Sequence, residues 1–283
     1  MALPTTATMP KVHRRRRPPW SLGVALVIVA LAFFVTIFGR LVAPQPLEAA
    51  ALIHRLLPPS SAHVFGTDAL GRDIFSRLIY ATQTSVLIAT SATLLSGLIG
   101  ALFGSLAGWF GGATDTVISF FIDVQSSLPA FILALGALVF FGGTPLVLVI
   151  VLALEGWERI ARVTRAETMS VRRSGYVNST LNLGVSRFTT VRHHLLPALT
   201  APLAVQLTLA FPAKILIESA LSFLGLGIRP PDTSLGQMVG TGEQYLASAW
   251  WVVVIPGATI FLVSLAIGIT GDHLQDRMIQ NAG

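Results

Sequence analysis

Glu155-Gly156-Trp157-Glu158-Arg159-Ile160-Ala161-Arg162-Val163-Thr164-Arg165 opens a polar stretch that closes on His193-His194-Leu195-Leu196-Pro197, and its reading decides the fold. Seven arginines fall within it: Arg159, Arg162, Arg165, Arg172, Arg173, Arg187 and Arg192. Long apolar runs lie on both sides. An arginine-rich loop between membrane spans belongs in the cytoplasm. Helical phasing on either side of Gly184 predicts two short helices meeting at a bend.

The rest of the chain supports that setting. Of 283 residues, 53% are hydrophobic and only 11% are charged, against about 25% charged in an ordinary soluble domain. The mean hydropathy is +0.73, and the charges cluster between long apolar runs, as in a polytopic helical membrane protein. With no cysteine, disulfides, thiolate catalysis and Cys-based metal sites are excluded. The pI near 10.7 reflects topology-setting charge rather than nucleic-acid binding.

Residues 1–18 form a basic arm carrying Lys11, Arg14, Arg15, Arg16 and Arg17. No charge follows from Trp20 to Gly39, a run longer than the roughly 7–15 residues of a signal-peptide core, so it reads as an uncleaved first span. The proline-containing segment of about 43–80 reads as external and interfacial. Within it Thr67 or Asp68 is expected to cap a surface helix, with Leu70, Ile74 and Leu78 recurring every fourth residue. A second span near 83–108 carries Gly100, Gly104 and Gly108, a spacing that lets another helix approach closely. The third span is expected near 116–140, with Asp123 and Pro129 inside it. Asp123 reads as a capped or interface-level carboxylate, with a pathway role as the alternative. Gly142-Gly143-Thr144-Pro145 marks a turn. A fourth span then runs from Pro145 into Trp157, and a fifth begins at Pro197. On the fifth, Lys214 and Glu218 are four residues apart and are expected to pair, either lining a polar path or serving structure. An external loop over 227–247 precedes a sixth span near 248–270, and residues 19–283 together make a six-helix all-α domain.

Six spans put both termini on one side. Thirteen of the 19 lysines and arginines then lie on that side and five on the other, with Lys214 inside a span. The bias places both termini and the 157–197 loop in the cytoplasm.

No phosphate-binding glycine loop with its lysine, no His-Glu-x-x-His and no nucleophile elbow occurs. All six histidines lie outside the expected spans, and adjacent His193 and His194 project about 100° apart on a helix, poorly placed to share a metal.

The chain nevertheless resembles a known family. Phe65-Gly66-Thr67-Asp68 with Leu70-Gly71-Arg72-Asp73 and Ser76-Arg77 is the first matching motif. Tyr176-Val177 through Gly184 to His194-Leu195-Leu196-Pro197 is the second. Glu218-Ser219-Ala220-Leu221-Ser222-Phe223-Leu224-Gly225-Leu226-Gly227 is the third, and Gly271-Asp272 with Leu274 and Asp276 the fourth. In this order they are similar to the second (C-type) permease subunit of bacterial ABC importers of the dipeptide, oligopeptide and nickel group. The resemblance implies an all-α permease fold in the inner membrane. It implies a homologous second permease, two ATPase subunits and an extracytoplasmic substrate-binding protein as partners. It also implies no catalysis and no cofactor in this chain, ATP and Mg being bound by the ATPases.

Contact with the ATPases is expected at Tyr176, Val177, Asn178, Ser179, Thr180, Leu183, Gly184, Ser186, His194, Leu196 and Pro197. The match departs where the family's cytoplasmic signature begins Glu-Ala-Ala and this chain has Asn178, Ser179 and Thr180, so the usual acidic contact is missing. Gln83 and Leu235 replace an Arg and a Trp common in the family. Peptides are the default substrate, with nickel or another small solute as the alternative. A stand-alone secondary transporter or channel using Asp123, Lys214 or Glu218 is the rival class.

Overall fold

The computed structural model describes residues 19–47 and 49–281; the basic arm of residues 1–18 lies outside them. Among the described residues the structure is helical, with no strand. The first helix, α1 (Pro19–Val42), packs on α2 (Ile74–Phe110) and on α11 (Trp251–Asn281). Gln83 donates its side-chain amide to the Thr36 carbonyl at 2.9 Å and so joins α2 to α1.

The expected surface helix from Thr67 or Asp68 does not form. Gly66 (φ +76°) and Gly71 (φ +72°) turn the backbone through the left-handed region, which glycine tolerates and other residues do not. Between them the Asp68 carboxylate accepts from the backbone N–H groups of Leu70 (2.8 Å) and Arg72 (2.9 Å). It also accepts from Arg72 Nε (2.7 Å) and Arg77 Nη1 (2.6 Å). A carboxylate used this way holds a loop rather than starting a helix. The cap is Asp73, which accepts from Ser76 N at 2.8 Å and launches α2.

Helix α2 contains 37 residues, about 55 Å at 1.5 Å per residue. No proline interrupts it. Its glycines do what their spacing predicts. A Cβ on Gly100 would come within 2.8 Å of the Trp157 carbonyl, and one on Gly108 within 2.7 Å of the Arg165 carbonyl. The helix seated there is α6 (Trp157–Arg173), which turns Ile160, Ala161, Thr164 and Thr168 inward.

Three of the expected spans are built differently. The third divides into α3 (Gly112–Ser127) and α4 (Ala130–Phe141), bent by 86°. Pro129 sits at the break, because a proline pushes the residue before it, here Leu128 (φ −94°, ψ 135°), into extended backbone. The fourth is α5 (Pro145–Leu154), begun by the Thr144 cap and Pro145. Its 10 residues span about 15 Å, half of a ~30 Å hydrocarbon core. It stops at Glu155, and Gly156 (φ +85°) redirects the chain into α6 instead of continuing into Trp157. The fifth does not begin at Pro197. Helical backbone runs from α8 (Arg187–Thr190) through a π turn (Val191–Leu195) into α9 (Leu196–Phe223). In the π turn Leu196 N–H reaches Val191 O, and this looser register takes Pro197 into the helix without a break.

Among the described residues four helices are long and apolar enough to cross a membrane, and a fifth crossing exists if the bent α3–α4 pair is one span. The count of six expected from the sequence is therefore not met by continuous helices of sufficient length. The 227–247 stretch holds a helix, α10 (Leu235–Gly242), whose Leu235, Gly236, Gln237 and Met238 are buried.

Candidate coupling surface and buried polar sites

Helix α6 is amphipathic by composition. Its apolar and small residues face α2, and Arg159, Arg162, Arg172 and Arg173 remain exposed. Arg165 holds it to α3 through a two-pronged pair with Asp115, Nε to Oδ1 and Nη2 to Oδ2, the latter at 2.6 Å. These hydrogen bonds raise the Arg165 pKa above its ordinary value, so the guanidinium stays charged. Arg162 Nη2 donates to Ser126 Oγ at 2.6 Å.

After Ser174 the chain forms α7 (Gly175–Asn182). Val177 anchors it, buried in a cluster with Trp109, Leu195 and Leu199, and Tyr176 meets the His194 ring edge-on at 5.5 Å. Gly184 (φ +82°) ends the helix. Leu183 N–H bonds to Ser179 O and Val185 N–H to Thr180 O at 3.3 Å; the second is the six-residue closure of a glycine C-cap. The bend and the helix cap are thus one feature. Ser186 then caps α8, accepting from Thr189 N at 3.1 Å.

The structure brings most of the sequence-predicted coupling residues into this elbow. Leu183 (83% exposed) projects from it, with Phe188 (75%) just beyond in α8. Ser179 is also exposed, as are Leu196 and Pro197 further along, whereas Val177 faces inward and supports the elbow from behind. Thr180 is half-buried and hydrogen-bonds its hydroxyl to Tyr176 O at 2.7 Å. Asn178 belongs to α7, but its side chain lies outside what is described.

Lys214 and Glu218 do not pair with each other. Lys214, 1% exposed, donates Nζ to Leu152 O (2.6 Å) and Glu155 O (2.5 Å) and lies 3.5 Å from Glu155 Oε2. The open carbonyls at the end of α5 carry partial negative charge and draw the ammonium away from its own helix.

Glu218, fully buried, accepts from Ser222 Oγ at 2.8 Å and Ser219 Oγ at 3.5 Å. The Ser85 and Ser234 side chains also act on its carboxylate. Ser85 Oγ in turn accepts from Leu235 N at 3.1 Å, and Ser234 Oγ from Gln237 N at 3.3 Å. Ser85 thereby ties α2 directly to the start of α10. Neither Glu155 nor the distant serines of this cage stood out in the sequence. The link from 155 to 214 spans 59 residues, and no local spacing encodes it.

Asp123 is exposed on α3, and its charge adds only weakly to the field at Arg165. Asp123→Asn should therefore lower uptake by the intact transporter about fivefold at most, the scale of a ~0–1 kcal/mol exposed charge interaction. Uptake into proteoliposomes, followed across pH, checks this; complete loss with normal assembly would assign Asp123 to the transport path.

Comparison with known proteins accounts for this architecture. Residues 100–280 match the family described as binding-protein-dependent transport system inner membrane component. A putative peptide transport system permease protein of Brucella suis is 33% identical over 98% of this chain and 96% of its own length. The probable D,D-dipeptide transport permease of Escherichia coli is 34% identical over 91% of this chain and 86% of its own. The dipeptide transport permease of Bacillus subtilis is 35% identical over 89% and 79%. In fold, the inward-facing methionine ABC transporter aligns with a TM-score of 0.56 at 16% identity, over 71% of this chain and 95% of that one. The chain belongs to the family of binding-protein-dependent transport system inner membrane components. It is a multi-pass membrane permease subunit of the ABC importer kind.

Proposed function

We propose that this permease forms a peptide pathway with a homologous second permease, and that ATPase subunits drive it through residues 157–197. The observation that carries the reading is the elbow at Gly184. It offers the exposed apolar side chains Leu183 and Phe188, is buttressed by α6, and continues without a break into α9. A docked motor needs such a stiff and accessible handle. The relatives' names supply peptides as the substrate class, and an extracytoplasmic binding protein delivers them. The 13-to-5 distribution of basic residues supports a cytoplasmic location for the termini and the elbow, with the 43–80 segment on the opposite face. The chain itself performs no catalysis, and ATP and Mg belong to the ATPases.

Copurification of the whole complex, identification of its bound ligand by mass spectrometry, and uptake in proteoliposomes test this together. ATP-dependent peptide uptake is the expected result. Uptake by the permease alone would instead indicate a secondary transporter or channel, and a bound metal ion in place of peptide would reassign the substrate.

A further inference from the structure

Lys214 links three pieces of backbone that the chain order keeps apart. Its stem rises from α9. Its ammonium holds the Leu152 and Glu155 carbonyls at the end of α5, at 2.6 and 2.5 Å. The carboxylate it faces at 3.5 Å is that of Glu155, the residue next to the left-handed Gly156 where α6 begins. Following the chain from Glu155 leads through α6, α7, the Gly184 elbow and α8 into α9, and so back to Lys214. The segment therefore closes on itself, with the elbow at one end and the ammonium at the other. Between those ends α6 and α9 also touch.

We propose that Lys214 is a positioning residue that clamps the α5 terminus at Leu152 and Glu155 to α9, so that residues 155–214 move as one body and displace the α5 terminus when the elbow moves. This rests on the reading of the elbow as the coupling element. The need for a clamp is mechanical. Gly156 sits where the backbone is least restricted, and without a cross-link a push on α6 would be absorbed as rotation about the Glu155–Gly156 junction. A buried ammonium across a junction is also specific. Leaving either charge alone in the interior is strongly unfavourable, so the two move together or separate at high cost.

The test removes both charges at once, because a single substitution would leave the other buried group poorly compensated, Glu155 keeping only the exposed Arg159 at 3.6 Å, and would confound function with misfolding. In Lys214→Met/Glu155→Gln the ATPases should still copurify and hydrolyse ATP within about twofold of normal, while uptake falls about tenfold or more, within the range of coupling between linked sites. Lys214→Arg should recover most uptake, since a cavity of about 80 Å³ bordered by Glu155, Arg159, Gln206 and Lys214 leaves room for the guanidinium.

An independent measurement leaves Lys214 in place. The chain has no native cysteine, so spin labels at Arg159→Cys on α6 and Gln206→Cys on α9 report one distance. The clamp requires that distance to be the same in the nucleotide-free and ATP-bound complex. A change of a helical turn, ~5.4 Å, would overturn the proposal, as would normal uptake in the double variant or loss of ATPase association in it. If Gly184→Trp proved silent, the coupling reading itself would fail; if Gly184→Trp uncoupled transport and the double variant did not, only the clamp would fail.

Discussion

Gly184→Trp should lower ATP-driven uptake by about tenfold or more, a loss in the range seen when coupled sites are disconnected, while the membrane helices stay folded. The position is open, with no atom within 4 Å of a Cβ placed there, so the indole meets no internal clash. Two other effects act. At φ +82° a side chain strains the backbone by roughly 1–2 kcal/mol, which loosens the cap shared by α7 and the bend. The indole also stands beside the exposed Leu183 that the motor would meet. Gly184→Ala carries the same backbone strain without the bulk and should be milder. Pull-down of the ATPase subunits and uptake, measured on one preparation, separate failure to dock from docking without transport. Normal values for both would remove residues 157–197 from the coupling role.

Asp68→Ala acts at the opposite extreme of the chemistry and should strongly destabilise the folded protein. The carboxylate is buried and accepts four hydrogen bonds, two from backbone N–H groups and two from arginines. Arg77, itself buried, reaches on to Thr233 at 3.3 Å. Removing the anion strands that guanidinium, and the loss of one partner of a buried pair costs about 3–5 kcal/mol. Asp68→Asn keeps the oxygen that both backbone N–H groups reach and should lose less. Thermal unfolding in detergent gives the comparison, and an unchanged transition in Asp68→Ala would show that the motif from Phe65 to Arg77 is not a stability element.

What the sequence made legible was whatever depends on backbone alone. Gly100, Gly104 and Gly108 announced a close helix contact because only the lack of a side chain permits it, and α6 fills that face. Gly184 announced a bend for the same reason, and Thr144-Pro145 a helix start. Side-chain partners were less legible. Lys214 and Glu218 have the spacing of a helical pair, yet Lys214 found its partners across the fold in the open end of α5, and Glu218 bonds to Ser219 and Ser222 of its own helix. Asp68 looked like a cap but serves a turn, since flanking Gly66 and Gly71 draw the backbone away from helix. Leu128-Pro129 could have been read as a break from the restriction proline places on its predecessor.

The length of α2 sets a dimension for any assembly built on this chain. Of its ~55 Å, about 30 Å would suffice to cross hydrocarbon if the helix stood upright. The glycine face that receives α6 lies in the last third of the helix, at Gly100, Gly104 and Gly108. Helix α2 is thus a pillar as well as a span, and α6 is strapped along its upper part. The place of α6 along this pillar is fixed by the number of residues in one helix. Each residue contributes ~1.5 Å of height and ~100° of azimuth, so height and facing cannot be altered independently.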